Sequence, residues 1–379
     1  MAKPVQQWQT RTHVAIRTVS LDMRAGMGAR AESFELHAVA DPDRRGWARF
    51  GLERQMVDEA GAADPDIVLA VSAWLIARGG RRLALYGPDN RLLAEGPIAP
   101  AELGVTDPAA LATRERLISL CPSNLEAVAA LGCFARVVAC EDSSDFPPEV
   151  AGLERLGPDL DPDLDRVAAL APDLVLSSLS VPGMERVVTG LHARGVPQVV
   201  LAPRSLADVM AELELLGVLL QVEERATAVV TDMRRQIAEL EEQAAALRVH
   251  SGPARVYLEW WPRPMFSPGR DCYSNELIRL AGGVNVFADR PGASLEIDVA
   301  ALLAAEPELC FVSWCGVAEA KLDPRKLIER AGLEELAAAK AGAVHVLDEQ
   351  FAGRPGPRML EAARRMAAAI RQLRSAAEA

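Results

Sequence analysis

From about residue 114 onward, short apolar runs alternate with longer segments of helical spacing. Residues 116–120, 136–139, 173–177 and 198–201 read as buried strands. The segments between them read as helices. One runs from a cap at Ser123 or Asn124 to 131, one spans 162–170 with Asp161 as cap and Pro162 at its first position, and one spans 181–194. Such alternation predicts a parallel sheet with crossover helices. The pattern pauses over 205–250, the longest stretch without proline, and then resumes. Strands are expected at 255–259, 309–313 and 344–347. Helices are expected at 274–281, from an Asp298 cap to 305, at 324–330 and at 357–375.

The interruption is itself helical. It is dense in Ala, Leu, Glu, Gln and Arg, the strong helix formers, and holds one glycine, Gly217, expected to end or bend a first helix capped at Ser205, with Asp208 three positions on. Val230, Met233, Ile237, Leu240, Ala244 and Leu247 then fall at alternating steps of three and four, one face of a second helix. At 1.5 Å per residue it would be roughly 37 Å long. The first 112 residues follow another pattern. Residues 47–60 have helical spacing, Asp64-Pro65 opens a helix to 77, and 81–86 and 91–94 flank the turn Gly87-Pro88-Asp89-Asn90. The chain therefore divides into a small α+β module (1–112), a first lobe (113–203), linking helices (204–250) and a second lobe with a closing helix (251–379).

Composition narrows the function. The net charge is -12 over 379 residues, which argues against nucleic acid as partner. The longest uncharged apolar run, 67–77, is too short to span a membrane. Residues 1–11 show no apolar run, so no signal peptide is read and the chain is expected in the cytoplasm; a start further upstream would place it in the periplasm or at the cell surface. No CxxC or helix-borne histidine pair forms a metal motif.

In an open parallel sheet, ligands bind beyond the carboxyl ends of the strands. The loops so placed carry Ser123, Asn124, Asp145 and Phe146 in the first lobe. In the second they carry Trp260, Trp261, Phe266, Arg270, Tyr273, Trp314, Glu349, Phe351 and Arg354. Aromatic rings with a few polar anchors hold large planar ligands. Cys121, Cys272 and Cys315 lie in the same loops and are candidate soft metal ligands or nucleophiles. The latter role needs a base beside the thiol, and no histidine falls in these loops.

RLISLCPSNLE (116–126), DFPP (145–148) and LDRVAALAPDLV (164–175), followed by SPGR (267–270), LIRLAGGVNVF (277–287) and RPGPR (354–358), carry a resemblance. Their order and spacing over 114–375 resemble the vitamin B12 and siderophore class of ABC-transporter substrate-binding proteins, cobalamin-binding members above all. The resemblance implies two Rossmann-like lobes joined by a long backbone helix, with the ligand held between them. It implies a non-enzymatic monomer needing no cofactor, whose ligand is cobalamin or another corrinoid. A ferric siderophore or haem is the alternative in the same fold, and a cytoplasmic corrinoid-handling protein or thiol enzyme is the alternative of another class. An ABC permease is the partner it implies, docking on one acidic residue per lobe. Asp163 and Asp165 fall near the first position. The second, around 300–301, is alanine here, with Glu296 and Asp298 nearby.

Overall fold

Strand–helix alternation organises the computed structural model as it does the sequence. Residues 114–378 are described, apart from 182, 195, 197 and 202; before them, only five strands are. These are β1 (Leu21–Asp22), β2 (Val39–Asp41), β3 (Trp47–Gly51), β4 (Arg82–Tyr86) and β5 (Leu92–Pro97). The last two form the expected antiparallel hairpin. Trp47–Gly51 is a strand and not the start of a helix, because parallel pairing with β4 gives it partners that local spacing does not reveal. The helix expected at 64–77 lies outside the described residues.

Two compact units divide the chain, the first ending at Pro203 and adding Ala207–Val230, the second comprising Arg204–Leu206 and Thr231–Ala379. In the first, β6 (Leu117–Ser119), β7 (Val137–Cys140), β8 (Glu154–Arg155), β9 (Leu174–Ser178) and β10 (Gln198–Leu201) pair in parallel in the order β10-β9-β6-β7-β8, with β1 antiparallel at the β10 edge. Crossovers are made by α1 (Pro122–Ala130), α2 (Leu164–Ala169) and α3 (Glu185–Ala193). Ile118, Leu120, Val167, Val175 and Leu191 build the core between sheet and helices.

Two helix starts differ from expectation. Residues 158–161 close a turn of their own, so α2 begins later, capped by Asp163, which accepts from the Arg166 N–H at 2.9 Å. At α1 the residue before the helix is Cys121, with Pro122 in the first turn. Asn124 does not cap; its amide reaches the Ser177 carbonyl at 2.9 Å and ties α1 to the end of β9.

Next come α4 (Leu206–Leu219) and α5 (Glu223–Ser251). Gly217 lies inside α4 and does not end it. A Cβ there would stand 2.4 Å from the Cβ of Ala226, so the glycine permits the close approach of the two helices. Gln221, at φ 57°, makes the turn between them. The first N–H of α4, on Leu206, donates to the Glu276 carboxylate at 3.1 Å.

With 29 residues, α5 is roughly 44 Å long. It belongs to the first unit up to Val230 and to the second from Thr231. Of its stripe, Val230, Met233, Leu240 and Ala244 are buried, whereas Ile237 and Leu247 are partly exposed. Leu240→Ala should therefore cost about 2–5 kcal/mol, and Ile237→Ala clearly less. Denaturant unfolding of both variants checks the order, and equal losses would contradict it.

The second unit has a parallel sheet in the order β14-β11-β16-β17, formed by β11 (Ala254–Glu259), β14 (Gly283–Asn285), β16 (Leu309–Val312) and β17 (Val344–Val346). A second, antiparallel sheet joins β12 (Trp261–Pro262), β13 (Met265–Pro268) and β15 (Ser294–Ile297). Its helices are α6 (Ser274–Leu280), α7 (Val299–Ala304), α8 (Arg325–Ile328), α9 (Ala337–Lys340), α10 (Glu349–Ala352) and α11 (Leu360–Glu378). Tyr257, Phe287 and Phe311 are its largest fully buried side chains, the first two edge-to-face at 6.1 Å. Among the described residues no helix is long and apolar enough to cross a membrane.

Candidate functional site

Each unit is taken in turn. In the first, the loops after β6, β7 and β9 turn much of their polar chemistry inward. Ser123 and Asn124 are buried. The Cys121 sulfur lies 3.2 Å from the Ser123 hydroxyl and 4.0 Å from that of Ser180, which in turn lies 2.8 Å from Ser178. Burial pushes the Cys121 thiol up, against the pull of the hydroxyl groups. After β7, the buried Glu141 accepts from the Ser143 and Ser144 N–H groups and from the Ser144 hydroxyl. Burial raises its carboxyl above the ordinary range despite these donors. Arg155 donates to the carbonyls of Glu141 and Ser144 at 2.8 and 2.9 Å. This folded loop presents Asp145, which is exposed, and Phe146, which is half-buried.

In the second unit the segment after β11 is not the irregular loop expected. Its prolines are accommodated in a tight hairpin, with Pro262 on β12, an edge strand, where no further ladder bond is required. Trp261 pairs in register with Phe266, and Phe266 with Glu296. These three candidates, Glu296 coming from 30 positions beyond Phe266, thus lie side by side across one small sheet. Trp261 is 43% exposed, its indole N–H donating to the Arg263 carbonyl at 3.2 Å. Trp260 is half-buried, its backbone N–H bonded to the Phe266 carbonyl.

Beside the hairpin, at the carboxyl ends of β11 and β16, an open depression of about 640 Å³ is lined by Pro262, Arg263, Trp314, Lys326, Glu329 and Arg330. Its volume suits a small-molecule ligand. Trp314 is 5% exposed. The Lys326 ammonium stands 5.7 Å from the centre of its ring, within cation–π reach. The indole N–H donates to Glu259 Oε1 at 2.9 Å.

Glu259 has no solvent exposure. Its two oxygens also accept both terminal nitrogens of Arg330, each at 2.6 Å, and the Tyr257 hydroxyl at 3.0 Å. Burial and the neighbouring carboxylate raise Tyr257 well above the ordinary phenol range, so it remains a donor. Burial alone would lower Arg330, but the Glu259 contact more than offsets this and raises it. Glu259, Arg330, Lys326 and Arg263 were not among the residues singled out in the sequence. Glu259 and Arg330 are 71 positions apart, and no local pattern joins them.

The remaining candidates have partners within the chain. Arg354 and Glu349 form an ion pair at 3.3 Å, both largely buried. Arg270 is exposed beside Asp271, 3.5 Å away. The Tyr273 hydroxyl donates to the Ala352 carbonyl at 3.2 Å. Phe351 carries two guanidinium groups over its ring, those of Arg358 at 4.9 Å and Arg365 at 4.6 Å. Cys272 is buried, its thiol pushed up to about 11 by desolvation, and Cys315 is exposed. Among the described residues no three His, Cys, Asp or Glu side chains gather into a metal-holding group, so no such geometry supports the three cysteines as ligands. Of the docking candidates, Asp163 and Asp298 are N-caps, Asp165 pairs with Arg194 at 2.8 Å, and Glu296 is exposed.

Residues 117–351 match the family described as periplasmic binding protein. That span is more than half of the chain, and the chain belongs to this family. Among its relatives, a vitamin B12-binding protein of Pectobacterium atrosepticum is 28% identical over 272 residues, covering 71% of this chain and 92% of the relative. The crystal structure of the periplasmic vitamin B12 binding protein BtuF of Vibrio cholerae superposes with a TM-score of 0.59 at 24% identity, over 69% of this chain and 98% of that one. The periplasmic heme-binding protein RhuT from Roseiflexus sp. RS-1, in apo form, gives 0.60 at 23%, over 69% and 99%. These likenesses bear out the two-lobe α/β fold. The expectation of a cytoplasmic location finds no support among proteins described as periplasmic.

Proposed function

We propose that this chain binds a large planar metal chelate, a corrinoid in the first place, and carries out no reaction on it. The observation that carries the reading is the depression of the second unit, lined in part by the largely buried Trp314 and adjoining the hairpin that exposes Trp261. Flat apolar rings flanked by a few charged groups offer a macrocycle contact area without a covalent bond. Trp260, Phe266, Phe351 and Arg270 in the second unit, and separately Phe146 and Asp145 in the first, are further candidate ligand contacts, each at least partly exposed. A non-catalytic role agrees with the thiols: with Cys272 at about 11, little nucleophilic thiolate exists near neutral pH. The family supports work outside the cytoplasmic membrane, with delivery of ligand to an ABC permease. Glu296 is then the best-placed docking carboxylate, since Asp163 and Asp298 are engaged as caps and Asp165 with Arg194.

A second reading, haem or a ferric siderophore, is favoured by one feature. Arg263 and Lys326 outnumber the one carboxylate of the lining, Glu329, and Arg330 is compensated by Glu259, so the lining keeps a cationic excess that suits a ligand bearing carboxylates. Trp261→Ala should weaken binding of the preferred chelate about tenfold or more, roughly 1.4 kcal/mol, as read by absorption titration. If binding survives this change and is lost when Cys272 or Cys315 is replaced, thiolate ligation is the better account.

A further inference from the structure

We propose that Glu259 is the positioning residue of the second unit's depression, one buried carboxylate that sets both the Trp314 ring and the Arg330 guanidinium lining it. The geometry is specific. An ionised carboxylate has about four acceptor positions, and four donors meet this one. Oε1 takes the Trp314 indole N–H at 2.9 Å and one Arg330 nitrogen at 2.6 Å. Oε2 takes the other Arg330 nitrogen at 2.6 Å and the Tyr257 hydroxyl at 3.0 Å. The donors come from three separate segments: Tyr257 from β11 itself, Trp314 from just beyond β16, and Arg330 from just beyond α8.

Glu259 does not line the depression and has no exposed surface, so a ligand does not meet it. Its effect passes through the two residues that do. Each is held by a charge-assisted bond, the kind that fixes direction as well as distance. A lone indole at the end of a strand could turn about two side-chain bonds; bonded to Glu259, it is held in one orientation. Arg330 is held in a bidentate fork with its charge compensated, which leaves Arg263 and Lys326 against the one lining carboxylate, Glu329, to set the preference for an anionic group. The wall is thus prepared before a ligand arrives, and less ordering remains to be done on binding.

The test uses the full-length chain and reads the Trp314 indole N–H by nuclear magnetic resonance, assigned through Trp314→Phe. In the wild type this proton should be protected from exchange. Glu259→Gln keeps one acceptor oxygen but turns an amide donor toward Arg330 or the indole, so the signal should shift while the chain stays folded. Tyr257→Phe keeps both lining bonds and should leave the signal in place. The double variant Glu259→Leu with Arg330→Met removes both charges together and leaves neither unpaired; with no acceptor left for the indole N–H, its signal should lose protection. A folded Glu259 variant with an unchanged Trp314 signal would overturn the proposal. A second readout rests on the binding function proposed above. With cyanocobalamin and haem as probes, Glu259→Gln should lower affinity about tenfold or more and Tyr257→Phe by less than about threefold. Equal affinity in wild type and Glu259→Gln would also overturn it. If the wild type binds neither probe, the binding reading fails, and the indole signal alone decides the positioning role.

Discussion

Glu259→Ala should lower the stability of the protein by about 3–5 kcal/mol. The carboxylate is wholly buried and compensates Arg330, which is only 12% exposed at its side chain. Removing one partner of such a pair leaves the other charge without its counter-ion and with little water. It also leaves the Trp314 indole N–H and the Tyr257 hydroxyl without their acceptor, each a further penalty. The network should therefore behave as a unit, and Glu259→Ala combined with Arg330→Met should be less damaging than the two single losses added together. Equilibrium denaturation of the three variants measures this. A loss for Glu259→Ala within the range of a surface substitution, about 0.5 kcal/mol, would mean that the carboxylate is not buried as described.

Trp314→Ala should cost about 3–5 kcal/mol of stability, and in the protein that remains folded it should weaken chelate binding about tenfold or more. The two effects have different origins. Stability is lost because a side chain 95% removed from solvent leaves a cavity and takes a donor from Glu259. Affinity is lost because the same ring walls the depression. Trp314→Phe separates them. It keeps one aromatic ring while removing the five-membered part of the indole with its N–H, so affinity should fall less than in the alanine variant. Thermal unfolding and absorption titration of both variants give the two quantities. Loss of stability with affinity unchanged would place the ligand elsewhere.

The parts legible in the sequence are those specified by neighbours along the chain. Strand–helix alternation from residue 117, the long helix with its buried Val230, Met233, Leu240 and Ala244, and the Asp298 cap all follow from local spacing and local hydrogen bonding. What local pattern did not reveal depended on distant partners. Trp47–Gly51 became a strand through its pairing with Arg82–Tyr86. The segment carrying Trp260, Trp261 and Phe266 was expected as a loop, yet Pro262 lies on an edge strand and Pro268 at the end of a pairing.

The candidate site divides along the same line. The rule that ligands gather at strand carboxyl ends led to Trp261 and Trp314, and the structure places both in the second unit, one on the hairpin and the other lining the adjoining depression. It could not show that Ser123 and Asn124 would turn inward, because the Ser177 carbonyl that takes the Asn124 amide lies 53 positions away. Nor could it separate Arg354, paired with Glu349, from Arg263 and Lys326, which line the depression. Arginine composition is visible in a sequence; which carboxylate compensates each arginine is a property of the folded chain.

The most direct test of the binding function is to titrate the purified full-length chain separately with cyanocobalamin and with haem, following the ligand's absorption bands and the thermal midpoint together. Saturable binding of one ligand per chain, with shifted bands and a raised Tm, is the predicted result. The corrinoid is expected to bind more tightly if the aromatic wall dominates, and haem if the cationic lining does. Unchanged bands and an unchanged Tm with both ligands would contradict the account.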